Sequence, residues 1–258
     1  MELIKNAISW GNSAGVLLPK EWKGKEVKVV LIDRSLQIKK EVFDILSNYS
    51  EDILGIYLIG SYARGEQTKR SDVDVLVITS KTNERIERGK YDFLVVSEDL
   101  VEEKFKKNIL PLLPMLKEAK TLLNSSLIEK FKNTKITKRN LRFHIETTKS
   151  AMGVVKEFIE LAKIDNRKIT DRIAYSLVLR LRELYIVDCL IKNKMWNNKE
   201  FLSLVKKVSG STEAYEGYLR SKDNEKTKRN LSINESERIY SYILKKIKEQ
   251  EIWARKRK

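Results

Sequence analysis

Cysteine and histidine each occur once in 258 residues, and proline three times. The lone Cys189 excludes an intrachain disulfide and any cysteine-rich zinc site. With His144 as the only imidazole, a multi-histidine metal centre is excluded and a Ser-His-Asp triad fits poorly. No stretch approaches the roughly 20 consecutive apolar residues that cross a bilayer. The start, Met1-Glu2-Leu3-Ile4-Lys5-Asn6, lacks the apolar run of a signal peptide. The expectation is a soluble, cytoplasmic protein with no membrane partner. Scarce glycine and proline beside abundant Lys and Glu suit a helix-rich chain. Disorder is disfavoured, because apolar residues recur in every stretch.

Charge is what the chain has in excess. Lys and Arg number 52 against 36 Asp and Glu, a formal charge of +16. The excess is uneven: residues 1–40 stand at +4, residues 41–116 at −4 and residues 117–258 at +16. The basic C-terminal half reads either as a set of solvated helix faces or as a surface for nucleic acid or another acidic partner. The acidic middle block calls for a different explanation.

The chain divides into three expected domains. Residues 1–40 read as a small β-module: turn chemistry at Gly11-Asn12-Ser13, a short strand at Val16-Leu17-Leu18, one helical turn from Pro19 to Trp22, and a strand over Val27 to Ile32. So small a block buries little alone and is expected to pair with another chain or to pack on the next domain. Residues 41–131 read as α/β. Helices are expected over Glu41 to Tyr49, 98–107 and 113–131, and strands over Ile56 to Ile59, Asp72 to Thr79 and Tyr91 to Ser97. Residues 132–139 lack apolar periodicity and make the best linker. Residues 132–258 then read as a basic bundle of four or five helices, with Thr170 and Asn234 as N-caps and Glu237 at capping-box spacing from the latter. The overall class is α+β.

The segment that carries chemistry is Gly60-Ser61-Tyr62-Ala63-Arg64-Gly65, followed after six residues by Asp72-Val73-Asp74-Val75-Leu76-Val77. A strand delivers the chain to Gly60-Ser61, where glycine permits close backbone approach to a ligand and a helix starting at Ser61 aims N–H groups at phosphate. Asp72 and Asp74 are two apart on a strand, so both point to one face while Val73, Val75 and Val77 point to the other. Adjacent carboxylates repel unless a cation sits between them, and a hard ion such as Mg²⁺ suits oxygen ligands and substrate phosphates. Asp92, an acid in the apolar strand Tyr91 to Ser97, is placed to be a third carboxylate and to take a proton from an attacking hydroxyl. Three acids can hold two metals across an in-line displacement.

The string GSYARGEQTKRSDVDVLV resembles the signature of the DNA polymerase β-like nucleotidyltransferases, in their minimal nucleotidyltransferase branch. The resemblance implies transfer of a nucleoside monophosphate from a nucleoside triphosphate to a hydroxyl, with release of pyrophosphate and with Mg²⁺ or Mn²⁺ as cofactor. It implies a core with a mixed sheet in which Gly60 and Ser61 bind the triphosphate and Asp72 and Asp74 bind metal, with Asp92 as the third acid. Arg64 either contacts phosphate or stabilises the turn. The acceptor stays open: RNA, a protein Tyr or Ser, or a small molecule such as an aminoglycoside. A basic bundle tilts the choice away from a polycationic drug.

Two further resemblances flank this core. Ser9 to Lys20 with Glu26 to Leu31 resembles the AbrB/MazE-like swapped-hairpin family. That implies a homodimer, with Lys5, Lys20, Lys23, Lys25 and Lys28 as DNA phosphate contacts or, alternatively, a dimerisation appendage alone. An antitoxin-like DNA-binding regulator, with the transferase fold as a binding module, is therefore the competing reading. Arg139 to His144 fits the short Arg-x4-His pattern of HEPN ribonucleases, which pair with minimal nucleotidyltransferases as toxin and antitoxin. That motif lies late in its own domain, whereas here it opens the bundle. Tyr175, Tyr185, Tyr215, Tyr218, Tyr240 and Tyr242 could stack on bases, although packing is the commoner use of tyrosines at such spacing.

Overall fold

Strands rich in Val, Ile and Leu between turns must form a sheet buried on both faces. The computed structural model describes residues 3, 5, 7–29, 34–68 and 71–256. They group into two units, residues 1–44 and 45–258.

The first unit holds a short antiparallel hairpin, β1 (Ile8–Trp10) with β2 (Ser13–Gly15), a single 3₁₀ turn Lys20–Trp22 after Pro19, and helix α1 (Arg34–Ile45). The turn begins where the proline predicts it. The strand expected at Val16-Leu17-Leu18 falls instead on Ser13–Gly15, because the two-residue turn at Gly11-Asn12 fixes the register and Gly15 is opposite Ile8. Of the strand expected over Val27 to Ile32, Val27–Val29 has no regular structure and residues 30–32 lie outside the described residues. The helix expected from Glu41 begins seven residues earlier, at Arg34.

The second unit starts with β3 (Ile53–Leu58), the short helix α2 (Gly60–Arg64), β4 (Val73–Thr79), β5 (Glu84–Arg88), β6 (Tyr91–Ser97) and α3 (Glu98–Lys107). Then come α4 (Leu113–Glu118), β7 (Lys120–Leu123) and α5 (Ser125–Lys132). The five strands form one mixed sheet in the order β5-β6-β4-β3-β7, with β4 and β6 parallel and the other pairs antiparallel. Side chains alternate across it. Leu76, Ile78 and Val96 project with Tyr57 and Ile59 into a core closed by Val101, Leu116, Ile128 and Phe131 of α3, α4 and α5. Ser97 caps α3 by accepting from the Leu100 N–H, as its Ser-Glu-Asp start predicts.

The helix expected over 113–131 is a correction: it is broken into α4, β7 and α5. Asn124 takes a left-handed φ of 61° and caps α5 by accepting from Leu127 N–H. The Lys120–Leu123 segment can then complete the open edge of β3. Satisfying that edge outweighs the helical periodicity.

The remainder is α6 (Lys138–Ile164), β8 (Ile169–Thr170), α7 (Asp171–Ile191), α8 (Asn198–Ser209), α9 (Glu213–Lys222), β9 (Arg229–Leu231) and α10 (Ile233–Lys256). The apolar rows align as helical spacing requires, with Leu141, Met152, Leu177, Leu181, Ile239 and Ile243 all buried in one core. That core also takes in Ile109 and Leu113 from the segment before and within α4, and Ile136 from the stretch between α5 and α6. Thr137 and Asn140 form a reciprocal cap at the start of α6. Thr170 stands at the N-cap of α7 without a side-chain cap bond. The cap expected at Asn234 is instead built by Ser232 and Glu235: the Ser232 hydroxyl accepts from the Glu235 N–H at 3.3 Å, and Glu235 accepts from the Ser232 N–H at 3.2 Å.

One buried ion pair braces α7 against α9. Arg220 donates from Nε and Nη2 to the two Asp171 oxygens at 2.9 and 2.8 Å, and the Lys228 N–H adds a third bond at 2.7 Å. Burial by itself would raise the Asp171 acid; the Arg220 and Lys228 hydrogen bonds outweigh it and hold the carboxyl below its usual 3.8. Because the folded value is depressed, this stabilisation is full above the unfolded pKa and is lost as the pH falls through the folded one. Asp171→Ala leaves Arg220 with Glu213 as its remaining close carboxylate and deprives the Lys228 N–H of its acceptor, and is expected to cost about 1–3 kcal/mol in urea unfolding at neutral pH. The difference from wild type should shrink as unfolding is repeated towards pH 3; a pH-independent gap would refute the assignment.

Candidate active site

The turn from β3 into α2 places the site. Gly60 has a φ of 67°, and a Cβ built on it would lie 2.1 Å from Asp74 Oδ2. Glycine is required twice here, for the left-handed backbone and for the contact with the acid. The Ile59 N–H donates to the Asp74 carbonyl at 2.9 Å, which fixes the register between the end of β3 and the start of β4.

A chain of charged bonds holds this turn. The Gly60 N–H donates to Glu118 Oε1 at 2.7 Å, and Arg64 Nη1 donates to Glu118 Oε2 at 2.5 Å. Arg64 Nε donates to Glu66 Oε2 at 2.7 Å, and Glu66 Oε1 accepts from the Asn198 N–H at 2.7 Å. The Arg64 and Glu118 side chains are 9% and 5% exposed. Burial works against the Arg64 charge; the hydrogen bond to Glu66 and the charge of Glu118 more than compensate. Of the two roles that the sequence leaves open for Arg64, this geometry gives turn stabilisation. The residue also lines the cleft described below.

The sheet brings the expected acids together. Asp74 and Asp92 are paired Cα to Cα on the parallel strands β4 and β6, and Asp72 stands exposed just before β4. The Asp74 acid is raised above its ordinary range, first by burial, then by the charge of Asp92 and then of Asp72; Lys222 and Arg64 pull the other way. Asp92 is engaged differently. Arg85 of β5 grips it with Nε–Oδ1 at 2.8 Å and Nη2–Oδ2 at 2.5 Å. Among the described residues, no three His, Cys, Asp or Glu side chains are grouped closely enough to hold a metal ion.

A cleft of about 1060 Å³ opens over Gly60, Ser61, Asp72 and Asp74 and runs to a wall made by the helices of the bundle: Phe143, His144, Arg180, Arg182, Tyr215, Tyr218 and Lys222. Asp92 does not line it. Tyr175, Tyr218 and Tyr215 stack in a row with centroids 5.3 and 5.9 Å apart, and Arg182 Nη1 donates to the Tyr218 hydroxyl at 3.3 Å. Tyr215 and Tyr218 thus pack against each other as expected and also line the cleft. His144 is buried, and burial followed by the charge of Arg180 pushes its pKa down to about 4. Arg139 is exposed five positions earlier on the same helix. Five positions turn a helix by about 140°, so the two members of that short pattern face different surroundings.

Glu118, Arg85, Arg182 and Lys222 have no motif in the sequence, whereas Glu66 falls inside the signature string, two residues after Arg64. The strand pattern Glu84-Arg85-Ile86-Glu87-Arg88 was the one local signal for Arg85, and Glu118, Arg182 and Lys222 reach the site only through packing.

A mixed sheet with paired acids beside a glycine turn defines the nucleotidyltransferase class of fold. The family model for the nucleotidyltransferase domain matches residues 39–179, and the chain belongs to that family. Among solved structures it is similar to spectinomycin adenyltransferase AAD(9) from Enterococcus faecialis with ATP and spectinomycin. The match has 13% identity and a TM-score of 0.43, over 84% of this chain and 98% of that one. It is also similar to a nucleotidyltransferase-like protein from Exiguobacterium sibiricum 255-15, with 11% identity and a TM-score of 0.39 over 84% and 77% of the two chains. No curated protein matches it by sequence.

The Gly60 contact is testable against an internal control. Gly65 also has a positive φ, 73°, but a Cβ there meets nothing within 4 Å. Gly65→Ala is expected to cost about 1 kcal/mol for the backbone alone. Gly60→Ala should cost clearly more in the same urea titration, because it must also displace Asp74; equal losses would show that the close approach is immaterial.

Proposed function

We propose that the protein transfers a nucleoside monophosphate from an NTP to a hydroxyl acceptor in a metal-dependent reaction. The observation that carries this reading is the register: Asp74 beside Asp92, Asp72 one step away, and the Gly60-Ser61 turn against Asp74 at one end of the cleft. The donor set fits a hard divalent cation, because Asp72 and Asp74 both line the cleft with oxygens, and burial beside the charges of Asp92 and Asp72 disfavours ionisation of Asp74 without a cation. Mg²⁺ or Mn²⁺ held there would polarise the transferred phosphoryl group. Ser61 offers its hydroxyl to the triphosphate, and Gly60, whose N–H is held by Glu118, leaves room for close backbone approach. Glu118, Arg64 and Glu66 hold that turn still.

The acceptor occupies the bundle wall in this reading. Arg182 and Lys222 make no ion pair among the described residues, which favours an acceptor with negative charge near its hydroxyl, such as RNA or an acidic protein segment, over a polycationic drug. The bound spectinomycin of AAD(9) supports a small-molecule acceptor as the alternative within the same chemistry. No helix among the described residues is long and apolar enough to cross a membrane, and a cytoplasmic setting with ready NTP fits this chemistry.

The N-terminal unit supports a second role. Trp10, Leu17 and Val29 are 65%, 64% and 74% exposed on a unit with one three-residue hairpin. That apolar surface favours a homodimer built through residues 1–40. Lys20, Lys23, Lys25 and Lys28 are exposed beside it and suit DNA phosphates.

Radiolabelled ATP, GTP, CTP and UTP with Mg²⁺ and each acceptor class test the transferase directly. Asp72→Asn and Asp74→Asn are each expected to lower transfer by about 100-fold or more. Label transfer that survives in both variants, or that is unaffected by EDTA, would overturn the reading. For the second role, full-length protein with Lys20, Lys23 and Lys25 changed to Glu is expected to lose salt-sensitive DNA retardation while keeping transfer. Retardation at background level in the unaltered protein removes the DNA role.

A further inference from the structure

The three acids do not stand alike. Asp72 and Asp74 line the cleft, whereas Asp92 is closed off by a bidentate guanidinium from the neighbouring edge strand. That partner is unlike Arg64, which is buried among its carboxylates. The Arg85 side chain is 64% exposed, so little packing holds it in place. Its strand also carries an alternative partner: Glu87 Oε1 lies 3.5 Å from Arg85 Nε and is 73% exposed. Both residues sit on the face of the sheet that carries Asp92, since Glu87 is opposite Asp92 and Arg85 is opposite Leu94. The guanidinium can therefore leave Asp92 for Glu87 by side-chain rotation alone, with no change of backbone.

We propose that Arg85 is a built-in counter-cation that stands on Asp92 in place of a divalent metal, so that metal reaches the third carboxylate by exchange against the guanidinium, which moves to Glu87. The proposal rests on the metal-dependent reading above. It accounts for how Asp74 and Asp92 stand side by side in register: such an arrangement demands positive charge, and the Arg85 guanidinium supplies it. It also assigns an order. Asp72 and Asp74 are the first ligands, and Asp92 joins only when the cation's attraction exceeds that of Arg85. Affinity for the metal is consequently set partly by a residue outside the sequence motif.

Mn²⁺ titration by calorimetry on the full chain separates the possibilities. Arg85→Gln is expected to bind Mn²⁺ about tenfold more tightly than wild type, the worth of one charge-assisted pair. Arg85→Lys, which keeps the charge but loses the fork, should fall between them. The gain should vanish when Asp92→Asn is added. Thermal unfolding of each variant without metal checks that the exposed substitution leaves the fold intact. Unchanged or weaker Mn²⁺ binding by Arg85→Gln, or a gain that persists with Asp92→Asn, overturns the role of Arg85 while leaving the metal reading standing. Absence of Mn²⁺ binding by wild type and by Arg85→Gln alike overturns both.

Discussion

A buried carboxylate, that of Glu118, ties the Gly60 turn to the rest of the molecule. One oxygen takes the Gly60 N–H and the other takes Arg64, and Arg64 passes the connection through Glu66 to the first turn of α8. Glycine accepts the left-handed backbone at position 60 without strain, but the buried Asp74 carboxylate beside it is an unfavourable neighbour. The network compensates by supplying charged hydrogen bonds in a low-dielectric setting, where they are strong provided that all partners are satisfied. Since the chain ends at Asn198, the same bonds that position Gly60 also join the sheet layer to the bundle wall of the cleft.

Charge balance explains the arrangement around this turn. Around the acidic middle block, Glu66 and, just beyond the block, Glu118 are matched by Arg64, and Asp92 by Arg85. Asp72 and Asp74 are left without an ion pair among the described residues, on the lining of the cleft. The two carboxylates without an ion pair are therefore the two that line the cleft. On the opposite wall, Arg182 and Lys222 supply positive charge that partly offsets the upward pull of burial on the pKa of nearby acids, Arg182 at Glu118 and Lys222 at Asp74. The +16 of the C-terminal half thus contributes particular residues to the site and is more than a diffuse surface property.

Much of this was legible in the chain of residues. The expected alternation sets Asp74 on the face of β4 opposite Val73, Val75 and Val77, while Asp72, expected within the strand, stands one residue before it. The helical rows of α6, α7 and α10 are buried where their spacing puts them. Other elements went elsewhere because a tertiary requirement outweighed the local signal. Residues 113–131 have helical periodicity, but the open edge of β3 required a strand, and Asn124 allowed the break. Ser232 took the cap expected at Asn234, since the antiparallel pairing of β9 with β8 ends at Leu231 and the helix starts directly after it.

What the sequence determined alone was local: the glycine turn, the facing acids two residues apart, the family and the helical faces. Each follows from the period of a strand or helix, which couples residues within a few positions of one another. Only the tertiary structure decided which cations meet which acids. Glu118 lies 54 residues from Arg64, and Asn198 lies 132 from Glu66. An isolated Glu or Arg has no pattern to announce its partner, because an ion pair depends on distance in space and on exclusion of water, and neither exists until the sheet and the bundle have packed.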